Sequence, residues 1–291
     1  MINALTVDVE DYHNIVAQDW LGIDASPTRA VVDNTNRLLE LLSRRNVRAT
    51  FFILGEVAEK YPGLVRDIAG SGHELGVHGY RHRQLFKLTP DEFRCGVSKA
   101  KALVEDAIGA EVAGHRAPAF SIIPATQWAL EVVAEVGFRF DSSVFPIAGR
   151  RYGWPGFRPD IHEIALDSGR TIIEVPMSTV SIAGRSLPAC GGGYLRHFPL
   201  AFTRWAIRRV SRHRPAIAYL HPYEIEGSVD PPDTSTLGAK DARRLRRLHR
   251  LQMRNRHTVE GKILRLLDEF EFAPVTDVIR EAIGETPESF Q

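Results

Sequence analysis

Cysteine is nearly absent. The chain of 291 residues has two, Cys95 and Cys190, far apart and outside any Cys-x-x-Cys pattern. That excludes a disulfide framework and a cysteine-based zinc site, and it fits a reducing compartment. Charge of one sign is missing too. Lys and Arg number 37 against 36 Asp and Glu, so a net charge of +1 gives no whole-molecule argument for nucleic acid or an anionic membrane. No apolar run approaches the ~18 residues of a membrane span. The N-terminus enters a strand-like segment directly, with neither the basic nor the apolar region of a signal peptide. A soluble, cytoplasmic protein is therefore expected. With 44% hydrophobic and 25% charged residues, a sizeable core forms without structural metals. Any metal is then expected to serve function.

What is present is an alternating rhythm. Ile2 to Val9 reads as a buried strand, and Ser26-Pro27-Thr28 is a helix-start signal before Val31, Val32, Leu38, Leu39, Leu41 and Leu42 at helical spacing. Val47 to Leu54 is a second strand, followed by a helix closed by Gly70-Ser71-Gly72, and Glu74 to His78 is a third. Thr89-Pro90-Asp91-Glu92 opens a further helix with an N-cap, a first-turn proline and acids at the positive end of the dipole. Val112 to Arg116, a helix from about Pro124 to Val136, and Phe138 to Asp141 continue the pattern. Such alternation predicts a parallel sheet with helices outside, and its repetition favours a closed barrel over an open sheet.

Between Ser142 and about Arg214 the rhythm breaks. Pro146, Pro155 and Pro159, a hairpin-like Leu166 to Thr171 and the run Gly191-Gly192-Gly193 read as insertions and cap structure, the glycine run being flexible. Regularity returns at Ala216 to His221, and Asp241 to Phe270 is a long basic helical region before a last strand near Phe272. The expected fold is α/β: a distorted (β/α) barrel of about seven strands, one domain over residues 1–291, with insertions around 142–214 and a C-terminal helical extension over 240–291.

Chemistry concentrates at the strand ends. His78 and His82 stand four residues apart, a spacing that puts two imidazoles on one side of a helical turn where both reach one cation. The three residues between them contain no glutamate, which disfavours the metalloprotease helix with its own base. Carboxylate is supplied by Asp8, Glu10 and Asp11, an acidic cluster that repels itself unless a cation or arginine compensates. Asp8 is the natural base, and Glu10 or Asp11 the third ligand of a facial triad. In a barrel, polar residues at the C-terminal ends of strands meet; Asp8, His78, Arg116, Asp141 and His221 all hold such positions. Each also has a plainer role: a capped core histidine for His221, a structural ion pair for Arg116, a turn start for Asp141.

Five segments together resemble the polysaccharide deacetylases, enzymes that remove N-acetyl or O-acetyl groups from sugar polymers. Thr6-Val7-Asp8-Val9-Glu10-Asp11 resembles the motif supplying base and metal carboxylate, and His78 to His82 the paired zinc ligands. Gly114-His115-Arg116-Ala117-Pro118 resembles the arginine motif, Phe140-Asp141-Ser142-Ser143 the aspartate motif, and Leu220-His221-Pro222-Tyr223-Glu224 the late histidine motif. Order and spacing agree over roughly residues 1 to 225. Glu174 to Thr179 and Gly191 to Tyr194 look like the branch associated with exopolysaccharide and exosortase gene clusters, with relatives acting on peptidoglycan.

The resemblance implies a divalent metal, zinc by preference, on His78, His82 and Glu10 or Asp11. It implies catalytic roles for Asp8 as base, His221 as acid, Arg116 orienting Asp8, and Asp141 raising the basicity of His221. The sequence departs from the family where two adjacent aspartates are usual, Asp8 being separated from Glu10 and Asp11. It departs again at Ala119, where a tyrosine is common; a backbone N–H there would still serve as oxyanion donor.

The implied partner is an N-acetylated polysaccharide or oligosaccharide, not nucleic acid, and a homo-oligomer is compatible with the sequence. An allantoinase-like cyclic-amide hydrolase shares the motif style, and a non-catalytic carbohydrate-binding protein is the reading outside enzymes. Tyr152 and Trp154 are candidates for stacking on sugar rings, whereas Trp128 fits core packing better. The arginine-rich stretches at 204–214 and 243–256 read as solvated basic helix faces before a nucleic-acid or anionic-polymer surface, because Leu245, Leu248 and Leu251 recur at helical spacing.

Overall fold

The computed structural model describes residues 1–284 apart from 150, 151, 190, 228, 232 and 236, so Cys190 lies outside the described residues. A nine-stranded sheet organises the chain. Its strands are β1 (Asn3–Val9), β2 (Thr50–Ile53), β3 (Glu74–Val77), β4 (Gly114–His115), β5 (Phe140–Asp141), β6 (His162–Ala165), β7 (Thr171–Glu174), β10 (Ile217–Leu220) and β11 (Phe272–Ala273); β8 (Thr179–Ile182) and β9 (Arg185–Pro188) form a separate hairpin. The order is β10-β1-β2-β3-β4-β5-β7-β6, with β11 pairing β1. Seven strands from β10 to β7 run parallel, and β6 turns back antiparallel through a hairpin.

Every residue of β1 is buried, as expected of a central parallel strand covered on both faces. Helices flank it: Ala30–Ser43 buries Val31, Leu38 and Leu42, and Pro90–Ile108 buries Phe93, Val97 and Val104 under a full Thr89–Glu92 capping box. The barrel is distorted at one seam. Among the described residues no strand ladder joins β7 to β10; across the gap Ile217 N–H donates to Ser178 Oγ at 2.7 Å.

Several elements differ from expectation for local reasons. Thr171–Glu174, in the stretch read as insertion, is the parallel neighbour of β5 and carries the sheet onward; its short Ile-Ile core is too brief to show a period. The run at Gly191 is not loose: a Cβ on Gly192 would come within 2.4 Å of the Tyr219 ring, so close packing demands glycine there. The basic C-terminal region is two helices, Ala239–Met253 and Val259–Glu269, broken where Asn255 adopts φ 59°. A terminal helix, Val275–Ile283, packs Val275, Val278 and Ile279 under β1. Among the described residues no helix is long and apolar enough to cross a membrane.

Candidate metal centre and catalytic cleft

Parallel register brings the reactive residues to one rim. Val9 pairs Ile53, Ile53 pairs Val77, Val77 pairs His115, His115 pairs Asp141, and Val7 pairs Leu220. Glu10, His78, Arg116, Ser142 and His221 are therefore the residues just beyond each strand, where backbone pairing ends and side chains turn to a common point.

Glu10 sits at that point. Its Oε1 is 3.0 Å from His78 Nε2 and 3.1 Å from His82 Nε2, and its Oε2 is 3.6 Å from His221 Nε2. Burial alone would raise the Glu10 carboxyl, but His221, His82 and the bond to His78 hold it well below the usual carboxylate range. The histidines do not lie on a helical turn as their spacing suggested. Residues 78–82 form an irregular bend, entered through Gly79 at φ 74°, where a Cβ would come within 3.3 Å of the Pro118 ring. The bend still aims both rings inward.

Each ring is held from behind. His78 Nδ1–H donates to the Arg116 carbonyl at 2.8 Å, and His82 Nδ1–H donates to Asp19 Oδ2 at 2.9 Å. Both Nε2 atoms then face Glu10. Such backing fixes tautomer and ring orientation in metal-binding histidines, and the donor set of two imidazoles and a carboxylate suits a divalent cation. Glu10, His78 and His82 could hold a metal ion, their ligand atoms lying within 4.8 Å of one another; Asp8, Glu10 and His221 form a second such group.

Asp11 is not brought to the histidines. Its carboxylate accepts from His13 N–H at 3.0 Å, capping the short Tyr12–Ile15 helix, and also from Thr28 N–H. Asp8 faces the cleft from the other side. Its Oδ1 accepts from Arg116 at 2.8 Å, and its Oδ2 is 4.0 Å from His221 Nε2. Arg116 is fully buried, stacked over the Phe52 ring at 4.3 Å and bonded to Thr6 Oγ1, the Ser142 carbonyl and Ser142 Oγ.

Asp141 is elsewhere than expected. It accepts from His115 Nδ1–H at 2.6 Å and from the N–H and Oγ–H of Ser143, and no contact joins it to His221. This buried knot includes Glu174, pushed well above the usual carboxylate range by burial and by the charge of Asp141. Ser143, bonded to Asp141, accepts from the Ala117 N–H, and Ser142, whose hydroxyl donates to the Val175 carbonyl, accepts from Arg116. Asp141 thus shapes the arginine's seat.

The carboxylate beside His221 is Glu224. His221 Nδ1 lies 3.2 Å from Glu224 Oε2, and Glu224 in turn lies 3.6 Å from Arg196 Nε. Burial disfavours charge on the His221 ring, yet Glu10, Glu224 and Asp8 outweigh it and raise the ring to about 9. Glu224 had a readable signal, the i, i+3 spacing of a capping box from His221. Asp19 had none, since it enters from a π-helical turn over Val16–Leu21.

Above these groups lies a cleft of about 200 Å³, walled by Trp20, Phe120, Tyr152, Tyr219 and Tyr223. Ala119 and Phe120 at its edge hold φ 53° and 50°, consecutive left-handed conformations that side chains rarely adopt. Of the aromatic residues proposed to stack on sugar, Tyr152 reaches this cleft; Trp154 packs on Phe157 and Trp128 on Phe93.

Histidine, carboxylate and arginine thus converge on the rim of a barrel-like sheet, and comparison with known proteins shows what this arrangement is similar to. Residues 19–140 match the polysaccharide deacetylase family, and residues 142–280 match a domain of unknown function, DUF3473. The polysaccharide deacetylase match thus takes in the histidine pair and Arg116.

A peptidoglycan-N-acetylglucosamine deacetylase of Bacillus cereus is 43% identical over 75 residues, 26% of this chain and 27% of that protein. A Mycobacterium smegmatis structure assigned to the polysaccharide deacetylases superposes with a TM-score of 0.60 at 20% identity, covering 97% of this chain and 90% of the other. The allantoinase Puue superposes with 0.63 at 13% identity, covering 98% and 91%. The chain thus aligns with only about a quarter of the length of the curated relative, and the structural likenesses establish the fold.

Proposed function

We propose that the protein is a metal-dependent deacetylase that hydrolyses the N-acetyl group of a polysaccharide or its precursor, with O-acetyl esters as a second substrate type. The observation that carries this reading is the meeting of three imidazoles on Glu10, with Asp8 and its arginine on the opposite side. The polysaccharide deacetylase match spans the histidine pair and Arg116, and relatives of the peptidoglycan deacetylase kind support the substrate class.

His78, His82 and Glu10 would hold the cation, zinc on this donor set. When bound it supplies Lewis acidity at the acetyl carbonyl and makes water a stronger acid near neutral pH. Asp8, oriented by Arg116, takes the proton as the water oxygen attacks the carbonyl carbon. The Ala119 backbone N–H, held in its left-handed turn at the cleft edge, donates to the oxygen on which charge develops. His221, charged through Glu10 and Glu224, then gives its proton to the sugar nitrogen as the C–N bond breaks. Acetate and a free amine leave. Glu224 takes the role that sequence reasoning gave to Asp141, and Asp141 acts through the seat of Arg116.

One domain over residues 1–291 accords with β10 and β11 both pairing β1, and a cytoplasmic location accords with the exposed free thiol of Cys95. The exopolysaccharide branch rests on sequence resemblance. Acetate release from N-acetylglucosamine oligomers, with allantoin left intact, tests the reading. Hydrolysis of allantoin instead would make it a cyclic-amide hydrolase, and inertness toward both in the metal-loaded protein would point to a carbohydrate-binding role.

A further inference from the structure

The catalytic cleft does not end at its own walls. Trp20 and Gln252 line it and also line a second, larger groove of about 560 Å³, so the two adjoin at these side chains. One bank of the groove is the strand-to-helix connection after His82, carrying Phe86, 48% exposed, and Lys87. The other bank is the Ala239–Met253 helix, presenting Arg244, Leu245 and Leu248.

That helix is amphipathic, with Ala242, Leu245 and His249 buried. Its exposed side carries Lys240 and Arg243, Arg244, Arg246, Arg247 and Arg250, and among the described residues none of them forms an ion pair. Arg246 alone bonds a side chain, Thr234. Two carboxylates oppose this charge. Asp19 is already engaged by His82 and Gln84, which leaves Asp241 as the exposed acid of the groove.

An exposed aromatic ring beside Trp20, with cations on both banks, is the chemistry that receives a sugar face and an acidic substituent together. We infer that the groove between Lys87 and Arg244 is a binding subsite for a carboxylate-bearing sugar unit that neighbours the acetylated one. The substrate class is then an acidic, uronate-containing glycan. This deepens and rests on the deacetylase reading, and it assigns a task to part of the region of unknown function. A nucleic acid is the competing polyanion; the shared Trp20 and Gln252 wall favours the glycan, because a general polyanion surface has no reason to lie beside the cleft that holds Glu10 and His82.

The test compares two oligosaccharides of equal length on the zinc-loaded full chain: hyaluronan, alternating N-acetylglucosamine with glucuronate, and neutral chitin. Kd is measured by calorimetry in an Asp8→Asn background so that neither is consumed. The account expects hyaluronan to bind about ten-fold tighter at low salt, with the advantage shrinking as salt screens it. Lys87→Gln with Arg244→Gln should bring the ratio near one while chitin binding stays unchanged. Arg243→Gln with Arg250→Gln, the same two-charge loss on another face of that helix, should leave the ratio intact.

A ratio of one in the parent protein, no measurable hyaluronan binding, or a ratio untouched by Lys87→Gln with Arg244→Gln overturns the subsite. Equal effects of the two double substitutions, with single-stranded DNA displacing hyaluronan, overturn it in favour of a general polyanion surface. If the ratio behaves as expected but neither oligosaccharide releases acetate with wild-type protein, the subsite stands and the deacetylase reading falls.

Discussion

His221 and Glu224 face each other across 3.2 Å, one residue supplying the imidazole and the other, three positions later, a carboxylate that joins Glu10 in keeping it charged. Replacing Glu224 with Gln removes that charge and keeps the shape. The His221 proton should then be lost at lower pH, moving the alkaline limb of the kcat profile downward and reducing kcat about ten-fold at neutral pH. Asp141→Asn, by comparison, should leave the position of that limb unchanged. Steady-state rates across pH for both variants check the assignment.

Asp19 and Asp11 separate a ligand's support from a helix cap. Asp19→Ala frees His82 Nδ1, and metal affinity should fall by roughly 10- to 100-fold in a chelator competition. Asp11→Ala should leave that affinity alone and cost about 1 kcal/mol of stability through its lost cap at His13. Equal metal loss in both would return Asp11 to the ligand shell.

Arg116 is wholly buried against Asp8. Arg116→Met fills similar volume but strands a carboxylate in the core, so about 3 to 5 kcal/mol of stability should disappear along with turnover. Urea unfolding of the variant measures it; a loss near zero would mean that Asp8 is solvated and the cleft more open than described.

A pH dependence arises away from the cleft. His73 is pushed down to about 4, first by burial and then by Arg48, and its Nδ1 accepts the Ala49 N–H at 3.2 Å. Its folded pKa lies below the unfolded value of about 6.5, so the unfolded chain binds the proton first. The contribution is complete above about pH 6.5 and drains away as pH falls toward 4. His73→Gln, which can still accept the bond but cannot titrate, should flatten the pH slope of the urea midpoint in that window.

Much of the fold could be read from the sequence because its parallel strands are hydrophobic and their ends are polar. β1, the helix capped by Thr89, and the β6–β7 hairpin stood close to their expected places. What escaped was tertiary in origin. Two-residue strands such as β4 and β5 carry no period, and the break at Asn255 is a single residue's left-handed turn. In the site, Glu10, His78, Arg116 and His221 lie together because each follows a strand in register, while Asp8 sits within β1 and the bend after β3 turns His82 back to them. The choice between Glu10 and Asp11 was not legible. It depends on which side of the chain the helix after β1 begins, and Asp11 caps that helix. Asp19 was invisible, because a lone aspartate on a π-helical turn resembles any surface acid.

The most direct measurement pairs bound metal with acetate released from an N-acetylglucosamine oligomer in wild type, His78→Ala and Asp8→Asn. The account predicts zinc and turnover in wild type, neither in His78→Ala, and in Asp8→Asn a full complement of metal with turnover reduced about 100-fold or more. Full acetate release by Asp8→Asn, or by a His78→Ala protein holding no metal, would contradict it.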